Sequence, residues 1–227
     1  MAESAPPTER PGPVRVFVVE DDPRQLKALH KLLEAQPALR LAGTATSGEN
    51  AIARLLGPAA VPVDVVLMDL ELPGFSGIEA TRRLRAVGLR PEVLVHTSYE
   101  DEDHVFEAMR AGASGYVVKG AKAAKLAEAI LEVDRGGTVI EPRLARRFWA
   151  FFKGVQEPRK SGPVLSEIEA SVLFAIAKGL SNAETGQVIG LDRRTVRTHL
   201  GHLYARFGVR SHVELVVAAL KLGMVEL

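Results

Sequence analysis

The chain has 227 residues, of which 47% are hydrophobic and 25% charged, with a formal net charge of +1. This length fits two domains, and the apolar fraction is enough to give each a core. The absence of cysteine excludes disulfides and thiolate metal sites and fits a reducing compartment. No apolar stretch reaches the roughly 20 residues that span a bilayer. The opening residues 1–13 lack the apolar core of a signal peptide and read as a disordered tail. No membrane partner is expected, and cytoplasm is the expected compartment.

Charge is unevenly spread. Residues 1–140 carry 16 Lys and Arg against 20 acids, residues 141–162 carry 6 against 2, and residues 163–227 carry 7 against 6. An acidic first part is followed by a basic excess.

Strand and helix signals alternate through about residue 136, the pattern of a parallel sheet covered by helices on both faces. Apolar runs at residues 14–19, 63–68, 93–95 and 116–118 read as buried parallel strands. Helices are expected over 23–36, 47–56, 77–87, 101–111 and 122–135. Residues 57–62 form a long connection into the third strand, at the sheet end away from the acidic residues. The pattern leaves the strand order open.

Residues 137–163 read as a linker with an aromatic-rich helix over 142–154 and a polar stretch behind it. Beyond it, residues 164–227 carry no strand signal. Ser166, Ser181 and Ser211 are each followed three residues later by Glu169, Glu184 and Glu214, the spacing of a capping box. A further helix starts near Asp192 and ends at Gly208. This second, smaller domain is expected to be all-α.

The apolar runs of the first domain end at Glu20 and Asp21, Asp69, Thr97 and Lys119. Ligands of parallel sheets bind outside the strands' carboxyl ends, so these side chains converge. Clustered carboxylates repel one another, and their natural partner is a hard divalent cation such as Mg²⁺, which prefers few carboxylates together with phosphate oxygens and water. A carboxylate at Asp69 can attack a phosphoryl group and form an aspartyl phosphate. The cation and Lys119 would neutralise the transferring oxygens, and the Thr97 hydroxyl would donate to one of them. Any one of these residues alone is an ordinary polar group at a loop end; the ordered set is the signal.

Val-Val-Glu20-Asp21-Asp22-Pro23, Val-Leu-Met-Asp69-Leu-Glu71-Leu-Pro73-Gly, His96-Thr97 and Ala-Ser-Gly-Tyr116-Val-Val-Lys119 resemble the receiver domains of two-component response regulators. The resemblance covers residues 14–136 and implies a doubly wound, five-stranded, flavodoxin-like α/β fold. It further implies that a sensor histidine kinase phosphorylates Asp69. Asp21, Asp69 and the backbone carbonyl of Glu71 would hold Mg²⁺, Glu20 would act through water, and Tyr116 would occupy the aromatic switch position. The bland alternative for Tyr116 is a half-buried strand tyrosine. Glu71 and Tyr99 match positions that tune phosphate lifetime in relatives.

The second domain resembles the LuxR-type helix-turn-helix of NarL/FixJ response regulators through Leu165-Ser-Glu-Ile-Glu169, Ala177-Lys-Gly-Leu-Ser181-Asn, Thr195-Val-Arg-Thr-His199 and Gly208-Val-Arg-Ser211. Arg193, Arg194, Arg197, Arg206 and Arg210 lie between residues 193 and 212 without an acid among them, a stripe suited to DNA phosphates. The resemblance implies that Arg197 and Thr198 face base edges, while Ser181, Arg193, Arg194, Thr195 and His199 contact phosphates or pack. Gly201 departs from the pattern where relatives often carry a polar or basic residue, and Gly120 where an acid is common. Val213, Val216, Val217 and Leu220, at helical spacing, are the expected dimerisation residues, with packing in the domain's own core as the other reading.

Together these readings describe a transcriptional regulator, not an enzyme acting on a separate substrate. Phosphorylation on Asp69 promotes homodimerisation and binding to double-stranded DNA. An alternative is a phospho-dependent adaptor whose helix-turn-helix binds protein. An aspartate-nucleophile phosphatase of the haloacid dehalogenase type would want an Asp two residues after the nucleophile; Glu71 stands there instead.

Overall fold

The valine-rich strand runs build one sheet because β-branched side chains suit its pleated surface. In a computed structural model, residues 12–58, 60–88, 91–99, 101–140, 162–209 and 211–225 are described. The expected helix over 142–154, most of the linker and Arg210 lie outside them.

Five strands, β1 (Val14–Val19), β2 (Leu39–Ala45), β3 (Val65–Met68), β4 (Glu92–Thr97) and β5 (Gly115–Val118), pair in parallel in the order β2-β1-β3-β4-β5. Between them run α1 (Pro23–Glu34), α2 (Gly48–Leu56), α3 (Gly77–Ala86) and α4 (Glu102–Ala111), and α5 (Ala123–Asp134) follows the last strand. The chain moves outward from β1 to β2, then crosses to the other side for β3. That reversal opens a crevice between the carboxyl ends of β1 and β3, where Glu20, Asp21 and Asp69 stand.

Each face of the sheet buries a helix layer. Val16, Val18, Leu67, Leu94 and Val117 meet Leu29 and Leu33 of α1 and Ile130 and Val133 of α5. Phe17, Val19, Val66 and Met68 meet Ala51 and Leu55 of α2 and Ala80 and Leu84 of α3. Val95 and Tyr116 meet Val105, Ala108 and Met109 of α4. Strand β2 differs from the other four: only Leu39 and Ala45 are buried, as befits an edge strand with no continuous apolar run. At the opposite end of the crevice strands, the Arg15 guanidinium donates to both Asp64 oxygens at 2.8 and 2.7 Å, and the Arg15 amide donates at 2.9 Å. This bidentate pair ties the foot of β1 to that of β3.

The second domain is α6 (Glu167–Ala177), α7 (Asn182–Ile189), α8 (Arg193–Phe207) and α9 (His212–Lys221). Ser166 and Ser181 form complete capping boxes with Glu169 and Glu184. Asp192 and Ser211 cap α8 and α9 through the amides of Thr195 and Glu214. Val172, Leu173, Ile176, Val196, Leu200, Leu203, Leu215 and Ala219 form its core. Gly208 ends α8 in a left-handed conformation, φ 66°, where a Cβ is strained. No described helix is long and apolar enough to cross a membrane.

Gly77 starts α3 beneath the end of β3, and a Cβ there would fall on the Asp69 carbonyl oxygen. The obstacle is backbone and cannot rotate away. Gly77→Ala is therefore expected to lose about 1–3 kcal/mol of stability by urea unfolding, although alanine is the better helix former.

Candidate functional site

The crest of the sheet positions the site through backbone bonds before any side chain acts. The Asp69 amide donates to the Val19 carbonyl at 3.0 Å, the Glu20 amide to Ala45 at 3.0 Å, and the Lys119 amide to Thr97 at 2.7 Å. Together with the parallel pairing of β3 with β4, these bonds hold the five strand ends in fixed register. Lys119 Nζ donates to Asp69 Oδ2 at 2.7 Å and lies 2.8 Å from Glu20 Oε2. Glu20, Asp69 and Thr97 are buried, whereas Asp21 is exposed. Carboxylate oxygens of Glu20, Asp21 and Asp69 lie within 4.8 Å of one another. The Glu71 amide donates to Asp69 Oδ1 at 3.2 Å. The loop behind it is held by Glu49, which accepts from the Phe75 amide at 3.0 Å.

The electrostatics favour a cation here. Burial raises the Glu20 pKa and Asp69 adds to the rise, while a hydrogen bond from Lys119 only partly offsets it. Burial works to lower the Lys119 pKa, but its bonds to Asp69 and Glu20 outweigh this and hold the ammonium charged. Three hard oxygen donors, one of them solvent-accessible, form the kind of acidic pocket that in receiver domains typically takes Mg²⁺.

Tyr116 is fully buried, and its hydroxyl donates to the Tyr99 carbonyl at 3.0 Å. This is deeper than a half-buried strand tyrosine. Burial pushes its pKa upward. Thr97 Oγ1 accepts from the Tyr99 amide at 3.5 Å. Lys119 and Tyr116 thus already point inward in this structure.

In the helical domain the expected DNA residues occupy varied environments. Arg194 and Thr198 are exposed on α8, and Thr198 donates back to the Arg194 carbonyl at 3.1 Å. Thr195 Oγ1 donates to Asp192 at 2.6 Å. Ser181 is buried as the α7 cap. His199 is half-buried, edge-on to His202. Gly201 faces open space. Arg193 and Arg197 instead reach the first domain: Arg193 Nη1 lies 3.1 Å from Asp134 Oδ2, and Arg197 Nη2 lies 3.7 Å from Glu92 Oε1.

The surrounding contacts form a polar seam between the domains. Glu92 also accepts from Ser114 Oγ at 2.5 Å and lies 3.4 Å from Arg85. Burial alone would raise its pKa, but the facing Arg85 and Arg197 lower it. His212 bonds the Tyr204 hydroxyl through Nδ1 at 2.8 Å and donates to Asn182 Oδ1 through Nε2 at 3.0 Å. Among the expected dimerisation residues, Val213 packs against the cluster holding Tyr116, Val105 and Met109. Val216 and Leu220 pack on the helical core, and Val217 is half-buried.

Sequence reasoning missed Glu92, Asp134 and His212. The available signal was an acid opening an apolar strand run and another closing an apolar helix, both places where a buried charge needs a partner.

The family described as the response regulator receiver domain matches residues 16–131, and that described as bacterial regulatory proteins, luxR family, matches residues 163–219. The chain is 34% identical to the DNA-binding transcriptional activator DevR/DosR of Mycobacterium tuberculosis, over 92% of this chain and 95% of that one. It is 31% identical to the transcriptional regulatory protein LiaR of Bacillus subtilis, over 91% and 96%. Among solved structures it resembles the response regulator ChrA of a heme-sensing two-component system, with 30% identity, TM-score 0.50 and coverage of 94% and 100%. A LuxR-family two-component response regulator from Aurantimonas sp. SI85-9A1 gives 30% identity, TM-score 0.56 and coverage of 64% and 100%.

His96, beside Thr97 on β4, is buried with no hydrogen-bond partner for Nδ1. Burial first, then Lys119, pushes its pKa down to about 4. Between the ordinary value near 6.5 and about 4, the unfolded chain takes up a proton that the folded chain refuses, so stability falls as pH falls. The loss is expected to reach about 3 kcal/mol by pH 4. Urea unfolding across this range should show a smaller acid loss for His96→Leu than for wild type.

Proposed function

The chain belongs to the two-component response regulators that join a receiver domain to a LuxR-type DNA-binding domain, and on that premise we propose that phosphorylation of Asp69 by a sensor histidine kinase switches its binding to double-stranded DNA. The observation that carries this reading is the pairing of Arg193 and Arg197 with Asp134 and Glu92. Receiver carboxylates occupy cations that would otherwise meet DNA phosphates or bases.

In the proposed transfer, an Asp69 carboxylate oxygen attacks the phosphorus of a phosphohistidine. The P–N bond breaks, and the imidazole leaves with the electron pair. Mg²⁺ bound by Asp21, Asp69 and the Glu71 carbonyl, with Glu20 acting through water, would neutralise charge on the phosphoryl oxygens. Lys119 shifts from its Asp69 oxygen to a phosphoryl oxygen, and Thr97 turns its hydroxyl proton toward another. The phosphoryl group carries about −1.5 to −2 charge in place of the carboxylate's −1, on the same crest as Tyr116, whose ring shares a cluster with Val213 of α9. Loosening that contact frees α8 and α9 together. Arg197 and Thr198 then read base edges, Arg193, Arg194, Thr195, His199 and the Ser181 cap contact phosphates, and Val213, Val216, Val217 and Leu220 serve a homodimer. DevR/DosR, a DNA-binding transcriptional activator by name, supports the DNA reading.

The test compares affinity for a genomic duplex library between wild type and Asp69→Asn, with and without Mg²⁺ and an acyl-phosphate donor. Binding should strengthen with donor in wild type only; no duplex binding by confirmed phosphoprotein would sink the DNA reading. If the two ion pairs restrain α8 at about 1 kcal/mol each, the double variant Glu92→Gln, Asp134→Asn should bind duplex about thirtyfold more tightly without donor. Calorimetric Mg²⁺ titration should show Asp21→Asn binding at least about tenfold more weakly, while its unfolding midpoint stays near wild type because the side chain is exposed.

A further inference from the structure

Resting on the reading of Asp69 as phosphoacceptor, we infer that His104 is a positioning residue for aspartyl-phosphate hydrolysis, holding Tyr99 across the mouth of the site. The Tyr99 phenol faces the Glu71 side chain, whose negative charge raises the phenol's pKa. Glu71 follows β3 and Tyr99 follows β4, so the two side chains stand on the two loops beside Asp69. The Tyr99 ring lies flat on the His104 ring, with centroids 3.9 Å apart and planes within 3°. His104 is itself fixed, because Nδ1 donates to Asp101 Oδ1 and Oδ2 at 2.7 and 2.8 Å and its amide donates to Asp101 Oδ1 at 3.1 Å. Asp101 is the N-cap of α4. A rigid helix start therefore anchors an imidazole, and the imidazole anchors a phenol ring beside the Glu71 carboxylate.

The consequence concerns water. Hydrolysis of an aspartyl phosphate needs a water oxygen to approach phosphorus in line with the bond to the Asp69 oxygen. That bond breaks, the carboxylate leaves with the electron pair, and the water's proton passes to solvent as inorganic phosphate departs. The in-line path runs outward, away from the strand end, through the space beside Tyr99 and Glu71. A stacked Tyr99 narrows this path, and a Tyr99 free to rotate opens it. His104 contacts neither Asp69 nor Lys119 in the described structure; its effect acts through Tyr99.

The experiment labels the full chain with an acyl-phosphate donor and Mg²⁺, removes the donor and follows phosphoprotein decay by phosphate-affinity electrophoresis. Asp69→Asn serves as the unlabelled control. His104→Ala is expected to decay about fivefold faster than wild type. His104→Phe, which keeps a flat ring under Tyr99, should return close to the wild-type rate, and Tyr99→Ala should decay at least as fast as His104→Ala. In the Tyr99→Ala background the His104→Ala change should add nothing, a non-additivity that a general loosening of α4 would not produce. Wild-type decay in His104→Ala, or an undiminished effect without Tyr99, overturns the inference alone. Failure of wild type to label, or labelling of Asp69→Asn equal to wild type, overturns the phosphoacceptor reading and this inference with it.

Discussion

One ammonium determines how the crest of the sheet is arranged. Lys119 sits between two buried carboxylates at 2.7 and 2.8 Å. Without it, Glu20 and Asp69 would face each other as like charges in a poorly solvated crevice, where removing one partner of a buried pair is costly. The position of Lys119 depends on β5 being held in register with β4, and that of Asp69 on β3 being held against β1. The Arg15 to Asp64 fork at the far end of the latter pair serves the same geometry from below. Sheet order, strand register and site chemistry are therefore a single constraint.

The contact between the domains is polar at α8 and at His212, where α9 begins, and apolar at Val213. The two ion pairs, at about 1 kcal/mol each, and the partial burial of Val213, worth about another 1 kcal/mol, together favour the closed arrangement by about a hundredfold. Full reversal of a 1:99 equilibrium takes about 5.5 kcal/mol, so a modest bias at the crest suffices to change the population substantially. Strand β4 carries both ends of this relation. Thr97 lies at its carboxyl end on the acidic crest, and Glu92 at its amino end beside Arg197.

Most of the fold was legible because the signals were local. Continuous valine-rich runs marked β1, β3, β4 and β5, and serine–glutamate spacing marked helix starts that the structure confirms as caps. Strand β2 was not legible as a run, since its Arg40, Gly43 and Thr44 follow from an edge position that only the sheet order reveals. The acidic crest was readable because parallel strands deliver their ends to one place. The inter-domain seam was not, because Glu92 and Arg197 are more than a hundred residues apart in sequence and each alone resembles an ordinary surface charge. The Tyr99–His104 stack was hidden for a related reason: ring orientation depends on the path of the loop into α4, and residue spacing carries no trace of it.

The pairing of Arg193 and Arg197 with receiver carboxylates has a consequence that runs opposite to the usual direction of signalling. If a nucleic acid and the receiver compete for the same guanidinium groups, occupancy of the duplex must alter the receiver by the same factor that the receiver alters duplex affinity, because coupling between two binding events is reciprocal. An operator-bound molecule would then hold its aspartyl phosphate on a receiver already released from α8, and the duplex itself would act as an effector of the phosphorylation equilibrium.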